Sequence, residues 1–388
     1  MHRRIRAALA SALVLGLAGG ALAAPAVADS PAVADCPAAA DHPAAPTGRG
    51  PDAAALRAAL AGLPDQDATA ALIRVGGNGS WRGSAGVRKL GTDSRALDHA
   101  RFRAGSTTKV VTAALVLQLA AEGRVDLNAS VETYLPGLLP TAFTQPVTVR
   151  QLLYFTSGIQ PGTSFGDTVE QEFPHRFETL TPEEVVASGL AKGPAFDPGT
   201  RQQYNNIDYT VLGMLIEKVT GDSYEHQAAV RIFQPLGMRD TSFPRSGDPR
   251  IHGPHNRGYQ LMGGKLVDVT EWNMSDRWAA GDMISTTRDL ERFLVALFRG
   301  KVVPQPQLRL MFTVPDIPGA SRSAGLERLE VNGRVVWAKT GSRPGYHTVI
   351  AATCDLSRTL VYSVNSTDAK GNGGNKTVQR FGIPAFNR

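Results

Sequence analysis

Ser106-Thr107-Thr108-Lys109 runs directly into residues 110–121, a stretch of Val, Ala and Leu interrupted only by Thr112 and Gln118. A helix that is apolar almost all round belongs in the middle of a large protein, with other layers packed on every side. Gly123 ends it. The same helix carries a lysine in its first turn, and positions three apart share a helix face, so Ser106 and Lys109 are neighbours. Burial disfavours the ammonium form, which lowers the lysine pKa and frees its amine as a base. A serine hydroxyl is a weak nucleophile until such a base takes its proton. Unpaired backbone N–H groups at a helix start can stabilise an anion. A plain helix cap with a snorkelling lysine is the other reading of these four residues. Of the nine lysines in the chain, only Lys109 has a serine three residues before it.

The 388 residues suffice for one large domain or two intertwined lobes, and 42% hydrophobic with 20% charged content fits a protein with a sizeable core. The start reads differently. Arg3, Arg4 and Arg6 precede an apolar run over residues 7–24, followed by small-residue cleavage signatures at Ala21-Leu22-Ala23 and Ala26-Val27-Ala28. Residues 1–28 are expected to be a secretory signal peptide, and the mature chain to be secreted without a membrane span. A membrane anchor is the alternative, disfavoured by Gly16, Gly19 and Gly20 and by the shortness of the run. Removing residues 1–28 takes away three arginines and no acid, so the formal charge falls from +6 to +3. No basic stripe with interleaved aromatics is present, and nucleic acid is excluded as an expected partner. Residues 29–50, rich in Ala and Pro, read as a flexible linker. Cys36 and Cys354 can form one disulfide in an exported protein, although Cys36 lies in that linker and pairing is not implied.

Residues 51–388 are expected to form the folded domain. A helix is expected over 52–63 and strands over 70–75 and 80–87, then the apolar helix, then mostly helices and loops, including helices over 209–219 and 287–298. Strands return at 329–331, 334–339, 349–353 and 360–364, the first two joined by Asn332-Gly333, a type I′ hairpin signal. Strands at both ends with helices between them suggest a sheet assembled from both ends of the folded region, in a mixed α/β fold.

Two further elements carry chemistry. Lys339-Thr340-Gly341 closes an apolar segment before a Ser342-Arg343-Pro344-Gly345 turn, and an edge strand ending this way offers a cation, a hydroxyl and backbone N–H groups to a substrate. Tyr204-Asn205-Asn206 offers a phenol and an amide. Ser-x-x-Lys, Tyr-x-Asn and Lys-Thr-Gly in this order resemble the pattern of penicillin-binding proteins and β-lactamases. The chain is similar to the class C β-lactamase family, and within it to the secreted serine D-alanyl-D-alanine carboxypeptidases of actinomycetes. Supporting segments include Leu127-Asn128-Ala129-Ser130-Val131, Tyr134-Leu135-Pro136-Gly137, Thr156-Ser157-Gly158, Pro198-Gly199-Thr200 and Ala279-Ala280-Gly281-Asp282.

The resemblance implies a β-lactamase/transpeptidase-like α/β (α+β) fold, with an antiparallel sheet lobe from about 51–100 and 280–388 flanked by helices and a mostly helical lobe from about 101–279. It implies Ser106 as acylated nucleophile, Lys109 as its activating partner, Tyr204 as proton shuttle and Asn206 as the motif amide. It implies that Lys339, Thr340, Gly341 and Ser342 bind substrate, with the N–H groups of Ser106 and Ser342 as oxyanion hole. The implied activity is a D-alanyl-D-alanine carboxypeptidase, a monomer acting on small peptides ending in D-Ala-D-Ala and inhibited by β-lactams, without metal or organic cofactor. Related carboxypeptidases have Tyr-Ser-Asn and His-Thr-Gly where this chain has Tyr204-Asn205-Asn206 and Lys339-Thr340-Gly341, so a class C-like β-lactamase or a promiscuous esterase or amidase stays open, and beyond it a non-catalytic binder of wall peptide. Arg328 or Arg334 could supply a carboxylate-binding arginine. His252 and His255 read as exposed loop residues rather than metal ligands, and His347 as a residue paired across the sheet.

Overall fold

The computed structural model describes residues 36, 50–162, 164–244, 247–371 and 373–387. The expected signal peptide and all of the linker except Cys36 and Gly50 lie outside them. Helix α1 (Ala53–Leu60) starts at Asp52, whose carboxylate accepts the Ala55 N–H at 2.9 Å, a cap that satisfies a donor the helix cannot. Strands β1 (Ala68–Gly77) and β2 (Trp81–Gly86) follow, then β3 (Phe102–Arg103) and α2 (Thr108–Ala121). The middle of the chain gives α3 (Val149–Leu153), α4 (Val169–Glu172), α5 (Pro182–Leu190), α6 (Asn206–Thr220) and α7 (Tyr224–Ala228). A hairpin of β4 (Tyr259–Met262) and β5 (Lys265–Asp268) precedes β6 (Ile284–Ser285), which pairs with β3, and α8 (Thr287–Phe298). The last part supplies β7 (Glu327–Val331), β8 (Arg334–Arg343), β9 (Tyr346–Ala352), β10 (Arg358–Ser366), α9 (Gly373–Thr377) and α10 (Ile383–Ala385).

The main sheet has six strands in the order β2-β1-β10-β9-β8-β7, all neighbours antiparallel. Strand β1 pairs with β10 beside the centre of the sheet, so the two ends of the folded region meet in one sheet as expected. Every residue of β10 is buried, because both faces of the sheet are covered. On one face Leu56 and Leu60 of α1 join Phe381 and Ala385 near the C-terminus in a core with Ile73, Val75, Tyr362 and Val364. On the other, α8 packs against β1, β9 and β10. Beyond it α2 forms the middle of the larger core, with only Gln118, Ala120 and Ala121 of its residues not fully buried.

Three elements differ from the sequence reading in ways that matter for the site. Helix α6 begins at Asn206 rather than 209, because Asn205 caps it by accepting the Ile207 N–H at 3.0 Å. Strand β8 continues through Arg343, so Lys339-Thr340-Gly341-Ser342 lies within the strand and not before a turn. Strand β7 stops pairing at Glu327 opposite Ala338, so β8 has no strand neighbour on that side from Lys339 onward. An interior strand thereby presents an open edge at this tetrapeptide. The Asn332-Gly333 turn has φ of 51° and 70°, as a type I′ hairpin requires.

Cys36 and Cys354 are joined as a disulfide with Cα atoms 5.2 Å apart, closing a loop across 318 residues. A cross-link over so long a loop removes much freedom from the unfolded chain. Replacing both cysteines by serine is expected to lower unfolding free energy by about 2–4 kcal/mol. Denaturant titration reads this, and an unchanged midpoint would contradict it.

Candidate active site

Ser106 sits in a tight turn over Gly105–Thr107 that leads into α2. Gly105 has φ +55°, and a Cβ there would stand 2.7 Å from the Ser342 nitrogen. From the other side, a Cβ on Gly341 would stand 2.0 Å from the Ala104 carbonyl oxygen and 3.0 Å from the Ser106 nitrogen. Two glycines therefore let the turn dock directly on the backbone of β8. The docking places the backbone nitrogens of Ser106 and Ser342 at the contact between turn and strand, where paired donors can hold a developing oxyanion.

Lys109 is fully buried, and its Nζ is 2.7 Å from Asn206 Oδ1, 2.7 Å from the Ala280 carbonyl oxygen and 3.3 Å from Ser106 Oγ. Burial, reinforced by the charges of Lys339 and Arg277, holds the Lys109 pKa well below the ordinary lysine value. A neutral amine has two N–H donors and one lone pair. Asn206 and Ala280 take the donors, which leaves the lone pair for the Ser106 hydroxyl. Tyr204 donates from its hydroxyl to Ser106 Oγ at 2.8 Å. Burial pushes the Tyr204 phenol up to about 12 despite that hydrogen bond and the nearby Arg322 and Arg277. The environment thus favours a base on one side of Ser106 and a proton donor on the other, opposite shifts that suit acid–base roles.

Aromatic packing fixes this arrangement. Phe155 stacks between Tyr204 and Tyr209, with ring centroids 4.9 and 5.0 Å away, and adopts φ 58°, an uncommon backbone for a bulky residue. Lys109 Nζ lies 4.9 Å from the Tyr204 ring centre and 5.7 Å from that of Tyr209, so the rings shield it from water. Asp208 is buried nearby, and burial raises its carboxyl well above the usual range although Ser157 donates to it. The Asp208 charge opposes the lowering of the Lys109 pKa but does not overcome burial and the neighbouring cations.

The structure thus brings together Ser106, Lys109, Tyr204 and Asn206, with Gly341 and Ser342 against the turn. A cleft of about 170 Å³ opens at Ser106 and is bounded by Tyr204, Asn206, Ser342, Arg277 and Lys370 among others. Lys339 and Thr340 do not border it. Lys339 Nζ donates to the Thr340 carbonyl at 2.8 Å and lies 5.0 Å from the Tyr204 ring centre. Its pKa is lowered to about 8 by burial, with Glu327 opposing and Arg322 adding to the shift. Neither Arg328, opposite Trp337, nor Arg334, opposite Val331, borders the cleft. Arg322 instead approaches Tyr204, 5.4 Å from the ring centre, and pairs with Glu327 at 3.3 Å. Gln202 holds that loop by donating to the Arg322 carbonyl at 2.7 Å and accepting the Arg322 N–H at 3.0 Å. A larger open hollow of about 830 Å³, near Arg57, Trp81 and Glu291, contains none of these residues.

The remaining candidates resolve simply. His252, exposed, bonds Asp248 at 2.6 Å, and His255, half-buried, bonds the Gly253 carbonyl at 2.8 Å. No group of three or more His, Cys, Asp or Glu that could hold a metal occurs among the described residues. His347 is buried, with Nδ1 2.7 Å from Thr377 Oγ1, and burial lowers its pKa to about 4. Arg277, Arg322, Lys370 and Glu172 were not legible as site residues. They are single charges in separate segments, and only the fold brings Arg277 and Lys370 to the cleft, Glu172 behind them and Arg322 to Tyr204.

An antiparallel sheet flanked by helices, with a serine and a buried lysine at the start of a central helix, defines a serine hydrolase of the β-lactamase/transpeptidase-like fold. The β-lactamase family model matches residues 56–381, and the chain belongs to that family. It is similar to the solved D-stereospecific amidohydrolase from Streptomyces sp., with 32% identity and a TM-score of 0.74 over 84% of this chain and 98% of that one. It is also similar to the D-amino acid amidase from Ochrobactrum anthropi SV3 complexed with D-phenylalanine, with 25% identity and a TM-score of 0.70 over 85% and 98% of the two chains. A curated Bacillus subtilis (strain 168) protein named "Putative penicillin-binding protein PbpX" is 29% identical over 281 residues, which span 72% of this chain and 66% of that protein. Staphylococcus aureus protein flp (strain MRSA252) is 30% identical over 197 residues, 50% of this chain and 38% of flp. The chain therefore spans less than two thirds of these curated relatives.

The glycine contact gives a direct test. Gly341→Ala must push β8 away from the Ser106 turn. It is expected to slow labelling of Ser106 by a serine-reactive phosphonate about 10²-fold, the usual cost of misplacing reacting groups by about 1 Å. Labelling at the unsubstituted rate would show that the contact does not set the site.

Proposed function

We propose that the protein is a serine-type peptidase that cleaves an amide on the carbonyl side of a D-configured residue, with D-alanyl-D-alanine peptides as its leading substrates. The observation that carries this reading is the position of Lys109, with both amine donors occupied and Ser106 Oγ 3.3 Å away. Lys109 takes the Ser106 proton as Oγ attacks the carbonyl. The Ser106 and Ser342 N–H groups receive the oxyanion, and Tyr204 protonates the leaving amine. Water then attacks the acyl-enzyme and gives a proton to the Tyr204 phenolate, while Lys109 returns its proton to Ser106 Oγ as the acid is released. D-configuration is supported by the D-stereospecific amidohydrolase and D-amino acid amidase among the similar structures. A carboxylate on the leaving group is supported by Lys339 and Arg322, two cations close to Tyr204. Action outside the cytoplasm is supported by the Cys36–Cys354 disulfide.

A second reading, release of ammonia from a D-amino acid amide, is favoured by the similarity to the Streptomyces amidohydrolase. An acyl-D-Ala-D-Ala peptide and a D-amino acid amide separate the two. D-alanine release that disappears in Ser106→Ala supports the peptidase. Ammonia release alone would replace it with the amidase, and no release of either would remove both.

Lys339 gives a pH test. Its ammonium form dominates below about 8 and is lost above. KM for the D-Ala-D-Ala peptide is therefore expected to rise as pH passes through 8, while KM for an N-acetyl-D-amino acid amide, which carries no charge, stays level. Parallel profiles would show that Lys339 does not face the leaving-group carboxylate. Lys109→Arg keeps a long basic side chain but places a permanent cation there that cannot act as a base, and is expected to lower kcat by at least about 10³-fold. A variant with near-normal kcat would exclude Lys109 as the base.

A further inference from the structure

The cleft at Ser106 has a wall that the acyl transfer does not use. Arg277, Arg343 and Lys370 reach it from three segments far apart in the sequence. Two buried carboxylates stand behind them. Asp276 accepts from Arg343 at 2.9 and 3.3 Å. Glu172 accepts from Lys370 at 2.8 Å and from Ser164 at 2.8 Å. Arg277 lies 3.1 Å from Asp276 Oδ2 and 3.9 Å from Glu172 Oε1.

Burial alone would raise both carboxyls, but the surrounding cations hold each below its ordinary value, so both are ionised. Three cations against two anions leave one positive charge in excess. The accessible parts of the network are its cations: Arg277 and Lys370 keep 21% and 26% of their side-chain surface, Glu172 and Asp276 only 6% and 7%. The acids orient the cations and have little surface left for a ligand. Such a wall accepts an anion and disfavours an ammonium group.

We infer that Arg277 and Lys370 form a subsite for an anionic group on the acyl donor, a short carboxylate-bearing side chain on the D-residue whose carbonyl Ser106 attacks. The inference rests on Ser106 as the acylated nucleophile. The leaving-group side has its own cations, Lys339 and Arg322 by the Tyr204 ring, and neither borders this cleft. A space of about 170 Å³ has room for one residue, which limits the side chain to a short one.

Binding to the Ser106→Ala protein tests this without turnover. N-acetyl-D-glutamate and N-acetyl-D-glutamine have the same shape and differ by one charge at the side-chain end. Calorimetric titration is expected to show the glutamate bound at least about tenfold more tightly, the size of one charge-assisted hydrogen bond. Adding Arg277→Gln or Lys370→Gln is expected to bring the ratio toward one. Lys370→Arg is expected to keep it, a rescue that lost packing would not give. Equal binding of the two ligands to the intact cleft, or Gln variants that weaken both alike, would overturn the inference. The reading of Ser106 as nucleophile fails by another result, absence of acylation at Ser106, which this comparison does not involve.

Discussion

Lys109 Nζ is held between the Asn206 amide oxygen and the Ala280 carbonyl in a place that water does not reach. A buried ammonium is costly unless paired with an anion, and burial disfavours the ionised form of Asp208 as well. The amine form is the stable form there. Much of the fold serves to keep this position dry. Helix α2 must be central for Lys109 to be buried, so its other faces are apolar and covered by α6, α7 and the Trp278–Ala280 turn. Thr112, one turn further along α2, donates to the Ala279 carbonyl at 2.6 Å and keeps the Ala280 carbonyl facing Lys109. Gly213 on α6 allows that turn to approach, since a Cβ there would meet the Ala279 Cβ at 2.5 Å.

The second requirement is registry between the helix start and the sheet. Ser106 comes from the helical part of the chain and Ser342 from β8, so an oxyanion hole exists only where the two backbones touch. Gly105 and Gly341 make that contact possible. The early end of β7 opposite Ala338 leaves the edge of β8 open where a substrate backbone would lie. Catalytic geometry here is a property of how the start of α2 meets β8, and no local segment contains it.

This explains what the sequence could and could not reveal. The helix over 108–121 was legible because an all-round apolar run has few alternatives. The β7–β8 hairpin was legible from Asn332-Gly333. Ser106, Lys109, Tyr204 and Asn206 were legible as motif residues, and the structure brings them within hydrogen-bond reach of one another. The extent of β8 was not, because Ser342-Arg343-Pro344-Gly345 has turn composition while pairing with β9 carries the strand through Arg343. The disulfide was left open, since nothing in the composition around Cys36 indicates where it docks. Arg277, Lys370 and Glu172 carry no spacing signal at all. Their meaning comes from tertiary proximity, as does that of Arg322, which approaches Tyr204 because Gln202 pins its loop.

The central claim is that Lys109 rests as a neutral amine beside Ser106. NMR titration of protein labelled at lysine side chains, with Lys109 assigned by its absence in Lys109→Arg, measures this directly. The account expects the Lys109 signal to titrate well below the ordinary lysine value of about 10.4. A midpoint at or above that value would mean a resting ammonium, and the base would have to be sought elsewhere.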